Sequence, residues 1–301
     1  MHKRVFAGLC VGSVAIWLHP LRETLHLALS DERYTHLLLV VPLACSLTAL
    51  QWRTDRLPAK PSMWGTIVMA AGLLGYAALP LMRIDVDVRL SGSIFGLVLW
   101  WLGAFLLCFG AQTFQSVLFP LLLLLGTVPL PGRVLDPVVS FLQRSSAVSA
   151  EALFRVARAP VSLHGSVLSL PGLDLEVAPE CSSIRSSLFL IVIAMGLAQI
   201  FLRSPRRKLA VVLASLPLTF LKNGLRIFVL GWLATHGNPW ILNSRLHRQG
   251  GPVFLMIALA AVFVLIWMLR RGDRHLPASR NDNVGAARAT SSWEQGGRAA
   301  F

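Results

Sequence analysis

One very apolar chain holds three side-chain types that together perform acyl transfer: the thiol of Cys181, the guanidinium of Arg226 and the imidazole of His247. A thiolate can attack a carbonyl and form a thioester. A fixed cation can hold the oxyanion that develops, and an imidazole can return a proton to a leaving amine. Cys181 lies in Pro179-Glu180-Cys181-Ser182-Ser183-Ile184-Arg185, at the polar start of an apolar run. At a helix start, the dipole and the unpaired N–H groups favour the thiolate, and Arg185 one turn on adds positive charge. Ser182 or Ser183 can cap such a helix. The other reading of Cys181 is an inert, small helix-start residue. Arg226 lies inside a later apolar run, with Lys222 one helical turn before it on the same face and Asn223 beside them. A central Arg or Lys costs about 2.5–3.5 kcal/mol on insertion scales. Holding an oxyanion or a carboxylate would justify it; snorkelling or a structural ion pair is the alternative. His247 stands a few residues before the last apolar run, where an ordinary surface histidine would also fit.

The elements that must position these groups are membrane spans. The 301 residues are 55% hydrophobic and 14% charged, with mean hydropathy +0.64. Soluble domains carry about a quarter charged residues. The net charge of +14 sits mostly in loops between apolar runs and in the tail, which excludes nucleic acid as a partner and favours a bilayer. Of four cysteines, Cys10, Cys45 and Cys108 fall inside apolar runs. No Cys or His spacing suggests a disulfide or a metal site, and no cofactor is expected.

Eight apolar spans are expected, over residues 5–18, 36–51, 63–82, 91–111, 114–128, 183–202, 209–234 and 252–269. The first, after His2-Lys3-Arg4, also fits a signal peptide, although Ala28-Leu29-Ser30 makes a poor cleavage site. The short basic loops around residues 53–60, 203–208 and 270–280 all fall on one side, which places both termini in the cytoplasm. Residues 1–271 then form one transmembrane domain, and the Gly-, Ala-, Ser- and Arg-rich 272–301 a disordered cytoplasmic tail. Loop 131–182 lies outside. Residues 134–157 have helical spacing and suit an interfacial helix. From Val161 to Val177 apolar residues alternate around Pro171-Gly172, which predicts a small β-hairpin leading to Cys181. The fold class is all-α polytopic, with that small helix and hairpin before the cysteine. On this topology Cys181, Arg226 and His247 share the outer face.

The chain resembles the exosortase/archaeosortase family of membrane cysteine transpeptidases from about residue 31 to residue 269. The resemblance rests on Asp31-Glu32-Arg33-Tyr34-Thr35-His36, Phe119-Pro120, Pro129-Leu130-Pro131, the hairpin loop, and Glu176-Val177-Ala178-Pro179-Glu180-Cys181-Ser182. It continues through Asn223-Gly224-Leu225-Arg226 and His247 followed by Gly251 and Phe254. It implies Cys181 as nucleophile, Arg226 as transition-state cation and His247 as acid/base. Lys222, Asn223, Tyr34 and His36 are expected to contact substrate. The family usually has glycine where Ser183 stands, which bears on backbone approach but removes no reacting group. The implied partners are exported proteins with a C-terminal Pro-Glu-Pro (PEP-CTERM) motif, a membrane helix and a basic end. They would be cleaved at the periplasmic face of the inner membrane, in connection with exopolysaccharide and biofilm matrix. From the residues alone, a non-catalytic component of polysaccharide export and an anion transporter stay open.

Overall fold

Apolar runs too long to stay in water become helices, since a helix satisfies its own backbone. The computed structural model describes residues 2–54, 60–177, 184–236 and 251–273. Ten α-helices lie among them: α1 His2–Ile16, α2 Leu18–Ser30, α3 Leu37–Thr54, α4 Trp64–Ala78, α5 Val86–Ser116, α6 Leu118–Leu123, α7 Gly132–Val156, α8 Ile184–Phe201, α9 Pro205–His236 and α10 Gly251–Asp273. Three strands, β1 Ser162–His164, β2 Val167–Leu170 and β3 Leu173–Glu176, separate α7 from α8.

Among the described residues, five helices are long and apolar enough to cross a membrane, and up to seven spans result if each bent pair counts as one. The expected eight are not confirmed, for three physical reasons. The first run breaks at Trp17, where α1 and α2 meet at 78°. The indole N–H of the fully buried Trp17 donates to the Ser93 carbonyl at 2.9 Å, and its ring lies against Tyr76 and Trp100, so tertiary contacts hold the bend. The run expected over 114–128 is built from the end of α5, the short α6 and a 3₁₀ segment Leu124–Thr127, and it meets α7 at 98°. The apolar stretch Arg185–Phe201 of α8 is shorter than the other spans.

Helix α5 is the central element, with 61% of its apolar window buried against 17% for α4. Gly110 interrupts it at φ 80°. A Cβ there would sit 1.7 Å from the Lys60 carbonyl oxygen, so both the backbone angle and the close approach require glycine. Ser91 and Pro129 stand nineteen residues either side of Gly110 and are joined by a 2.5 Å hydrogen bond from the Ser91 hydroxyl to the Pro129 carbonyl. The chain therefore turns back near Gly110 and returns alongside itself. Helix α4 meets α5 through small residues: an added Cβ on Gly72 would lie 2.6 Å from the Gly96 carbonyl, and one on Gly65 2.5 Å from the Gly103 carbonyl. Glycines at the contact let two membrane helices approach backbone to backbone.

Helix α7 falls where a helix was expected over 134–157, and it lies on protein: Leu135, Val139, Leu142, Ala147, Ala150 and Phe154 are buried. The expected hairpin is a three-stranded antiparallel meander in the order β1-β2-β3. Pro171-Gly172 makes its second turn, with Gly172 at φ 76°. Leu168 of this sheet and Val177 just after it join Ala147 and Ala150 of α7 and Ile227 of α9 in one small core. Residues 274–301, which hold most of the expected tail, lie outside the described residues.

Candidate functional site

Helices α8, α9 and α10 share a core of Leu190, Ala194, Ala198, Leu202, Val211, Ala258, Val262 and Ile266. The short connection from Phe201 to Pro205 makes α8 and α9 antiparallel neighbours. Their register is visible where polar groups meet: Lys222 Nζ donates to Ser186 Oγ, and Asn223 Nδ2 donates to Ser187 Oγ at 3.4 Å. The first turn of α8 is thus level with Lys222 and Asn223. At the other end, the Arg207 guanidinium donates to the Leu269 carbonyl at 2.9 Å. From that contact, Arg226 is nineteen residues along α9 and Gly251 eighteen residues back along α10. At 1.5 Å per residue these are about 28 and 27 Å. The start of α10 therefore lies level with Arg226.

Lys222 is 5% exposed and Asn223 1%, whereas Arg226 is half-buried with its Nε enclosed. Among the described residues, no carboxylate is within ion-pair distance of Lys222. The buried Lys222 amino group and the Arg226 guanidinium, one helical turn apart, put two basic side chains on one face of α9. Gly224, between them, allows α7 to close against α9: a Cβ there would meet Ser149 Cβ at 2.5 Å and the Ala150 nitrogen at 2.9 Å. Just over one turn beyond Arg226, Gly231 faces Phe154 of α7 and Leu170 and Leu175 of the sheet. His236, in the same stretch, stacks on Trp232 with ring centroids 4.2 Å apart.

Tyr34 is buried, and its hydroxyl donates to the Leu130 carbonyl at 2.8 Å. With Leu37, Leu135, Val139 and Leu142 it forms a cluster on which Leu188 of α8 and Phe220 of α9 pack. Together with the Ser91 hydroxyl on Pro129, and the Asp87 carboxylate accepting the Gly132 N–H at 3.2 Å, Tyr34 clamps Pro129-Leu130-Pro131 at the end where α8 begins. His36 is half-buried, with Nδ1 3.2 Å from the Arg33 carbonyl. Arg33 pairs with Asp31 at 2.7 Å and reaches Asp136 at 3.3 Å. Burial pushes the Asp31 carboxyl up, but hydrogen bonds from the side chain and backbone N–H of Arg33, with its charge, outweigh that and hold Asp31 below the usual carboxylate range.

Of the sequence-predicted residues, the structure brings Lys222, Asn223 and Arg226 to the level of two helix starts, with Tyr34 in the adjoining cluster. Cys181 and His247 lie outside the described residues. Ser186 and Ser187 were missed by reading the sequence. Their signal was small polar residues in the first turn of a span, opposite a span that carries cations.

The family model for transmembrane exosortases matches residues 28–264. The chain therefore belongs to the transmembrane exosortase family, and its apolar helices make it a membrane protein. No curated protein and no solved structure matches it.

Proposed function

We propose that this exosortase is a membrane-embedded cysteine peptidase and transpeptidase. It acts on exported proteins whose C-terminal sorting signals are of the Pro-Glu-Pro type, at the periplasmic face of the inner membrane. The observation that carries the reading is the common level of the α8 start, the α10 start and the Lys222–Arg226 face of α9. Cys181 is three residues from Ile184 and His247 four from Gly251. At 3.8 Å between successive Cα atoms, the chain itself keeps each within about 11–15 Å of those helix starts.

The Cys181 thiolate attacks the scissile carbonyl, and the C–N bond breaks as a thioester forms. His247 gives the leaving amine its proton. Arg226 holds the oxyanion in a site from which water is largely excluded, where a fixed cation is most effective. Lys222 and Asn223 hold substrate beside it, and Tyr34 and His36 border the path by which it enters. An acceptor amine, or water, then attacks the thioester and restores the thiolate. The link to exopolysaccharide belongs to this reading through the substrates.

The test is Cys181→Ala, assayed for release of a co-expressed substrate's tail. Processing is expected to stop while the protein remains in the membrane at its usual level. Unchanged processing would refute the mechanism. The basic Lys222–Arg226 face also favours an anion transporter; that reading gains if Arg226→Gln abolishes anion flux and Cys181→Ala does not.

A further inference from the structure

The sheet beside the site ends in an edge. Sheet order is β1-β2-β3, so β3 pairs with β2 on one side, and among the described residues no strand pairs with its other side. The hydrogen-bond pattern shows which groups that edge offers. The Val177 N–H donates to the Ser166 carbonyl at 2.9 Å, and Val167 stands opposite Glu176. Bonded and non-bonded pairs alternate along an antiparallel ladder. Ser166/Val177 and Leu168/Leu175 are then bonded pairs, and Val167/Glu176 and Ser169/Asp174 are not. The N–H and C=O groups of Asp174 and Glu176 therefore point away from β2, and both residues are exposed. By the same alternation β1 turns outward only Leu163 of its three residues, and it lies farther along the chain from Cys181.

We propose that the outer edge of β3 is a docking site for an extended peptide segment of the substrate, which adds as a fourth strand through the backbone of Asp174 and Glu176. The occupant follows from the edge itself. Alternating main-chain donors and acceptors select a strand, and side-chain pockets play no part in that selection. The position supports the same occupant. Four residues lie between Glu176 and Cys181, so β3 is the strand whose chain leads on to the reacting thiol. Leu175 anchors the edge from beneath, against Gly231 of α9, one turn beyond the stretch that carries Arg226. The outward carboxylates of Asp174 and Glu176 disfavour acidic residues directly across the new pair. This inference rests on the reading that the chain acts on peptides near Cys181.

The test measures binding, so it does not depend on which residue is the nucleophile. The Cys181→Ala protein is placed in lipid nanodiscs and titrated with a fluorescent peptide carrying the Pro-Glu-Pro motif, a membrane helix and a basic end. Asp174→Pro removes an outward N–H while leaving the β2 ladder whole. Asp174→Ala removes only the carboxylate. The proposal expects affinity to fall at least tenfold for Asp174→Pro and to stay within about twofold for Asp174→Ala. Equal affinity for all three proteins overturns it, and so does an equal loss in both variants. A second arm keeps the protein unaltered at β3 and N-methylates the peptide at successive positions before the membrane helix. Losses at alternate positions are expected; losses without a period of two overturn the proposal. If the alternation appears but Cys181→Ala still processes substrate, the cysteine mechanism fails and the docking edge stands.

Discussion

Lys222 is the residue whose environment asks most of the structure. Its amino group is buried in a membrane span, one helical turn from the Arg226 guanidinium, with the Ser186 hydroxyl as its hydrogen-bond acceptor. Removing one partner of a buried polar pair costs more than removing both, because the survivor keeps its desolvation penalty. Ser186→Ala is therefore expected to destabilise the protein by about 1–3 kcal/mol, and Lys222→Met combined with it to recover part of that loss. Unfolding of the two single variants and the double variant in detergent would give the coupling; strictly additive effects would show that the contact carries no stability. Asp31 supplies a residue-scale pH dependence. Its pKa is lowered in the folded chain, so its ion pair with Arg33 contributes in full above the unfolded carboxylate pKa, at about 4. The contribution is lost as pH falls through the depressed folded value. The melting temperature of Asp31→Asn should accordingly lie below that of the unaltered protein at pH 7 and converge with it as pH falls below the ordinary carboxylate range.

At the scale of elements, the α4–α5 contact makes the plainest claim. Gly72 touches the Gly96 backbone, whereas a Cβ on Gly75 of the same helix would meet nothing within 4 Å. Gly72→Ala should therefore force the helices apart at a cost of about 1–3 kcal/mol. Gly75→Ala should be neutral, or gain up to about 1 kcal/mol from helix propensity. Thermal unfolding of the pair in one detergent checks both signs, and equal effects would mean that the two helices do not meet on this face. The apolar runs, the amphipathic α7 and the alternating residues before Cys181 were legible in the sequence because each is set by local periodicity. The break at Trp17 was not, since the carbonyl that receives its indole N–H belongs to Ser93, far along the chain. The facing of Lys222 and Asn223 by Ser186 and Ser187 was not legible either, since only the packed register of α8 on α9 decides it. Pro42, Pro137 and Pro217 lie inside helices, so a proline that marks an exit after Val128 marks nothing at those positions.

Across the whole molecule, contacts sort the connections between helices into two ends. Tyr34, Leu130 and the α8 start meet at one end. Helices α3 and α8 run the same way from there: Leu188 packs on the cluster that holds Leu37, and farther on Gly196 faces Leu43. Their far ends lead to Lys60, which crowds Gly110, and to Arg203 near the Arg207–Leu269 contact. These contacts fix which connections share a side, but which side faces the cytoplasm rests on charge. Lys60, Arg203, Arg206, Lys208, Arg270 and Arg271 crowd the second end, and short basic connections stay in the cytoplasm. The proposed site would then open on the periplasm. In a chain whose native cysteines are replaced, Ser162→Cys should react with a membrane-impermeant maleimide on intact spheroplasts. Lys60→Cys and Arg203→Cys should react only after the membrane is permeabilised; all three positions are exposed. The reverse pattern would keep the helix packing and move the proposed chemistry to the cytoplasmic face, where exported substrates do not reach it. A mixed pattern, with Lys60 and Arg203 on different sides, would contradict the parallel run of α3 and α8 from the cluster that holds Tyr34 and Leu188.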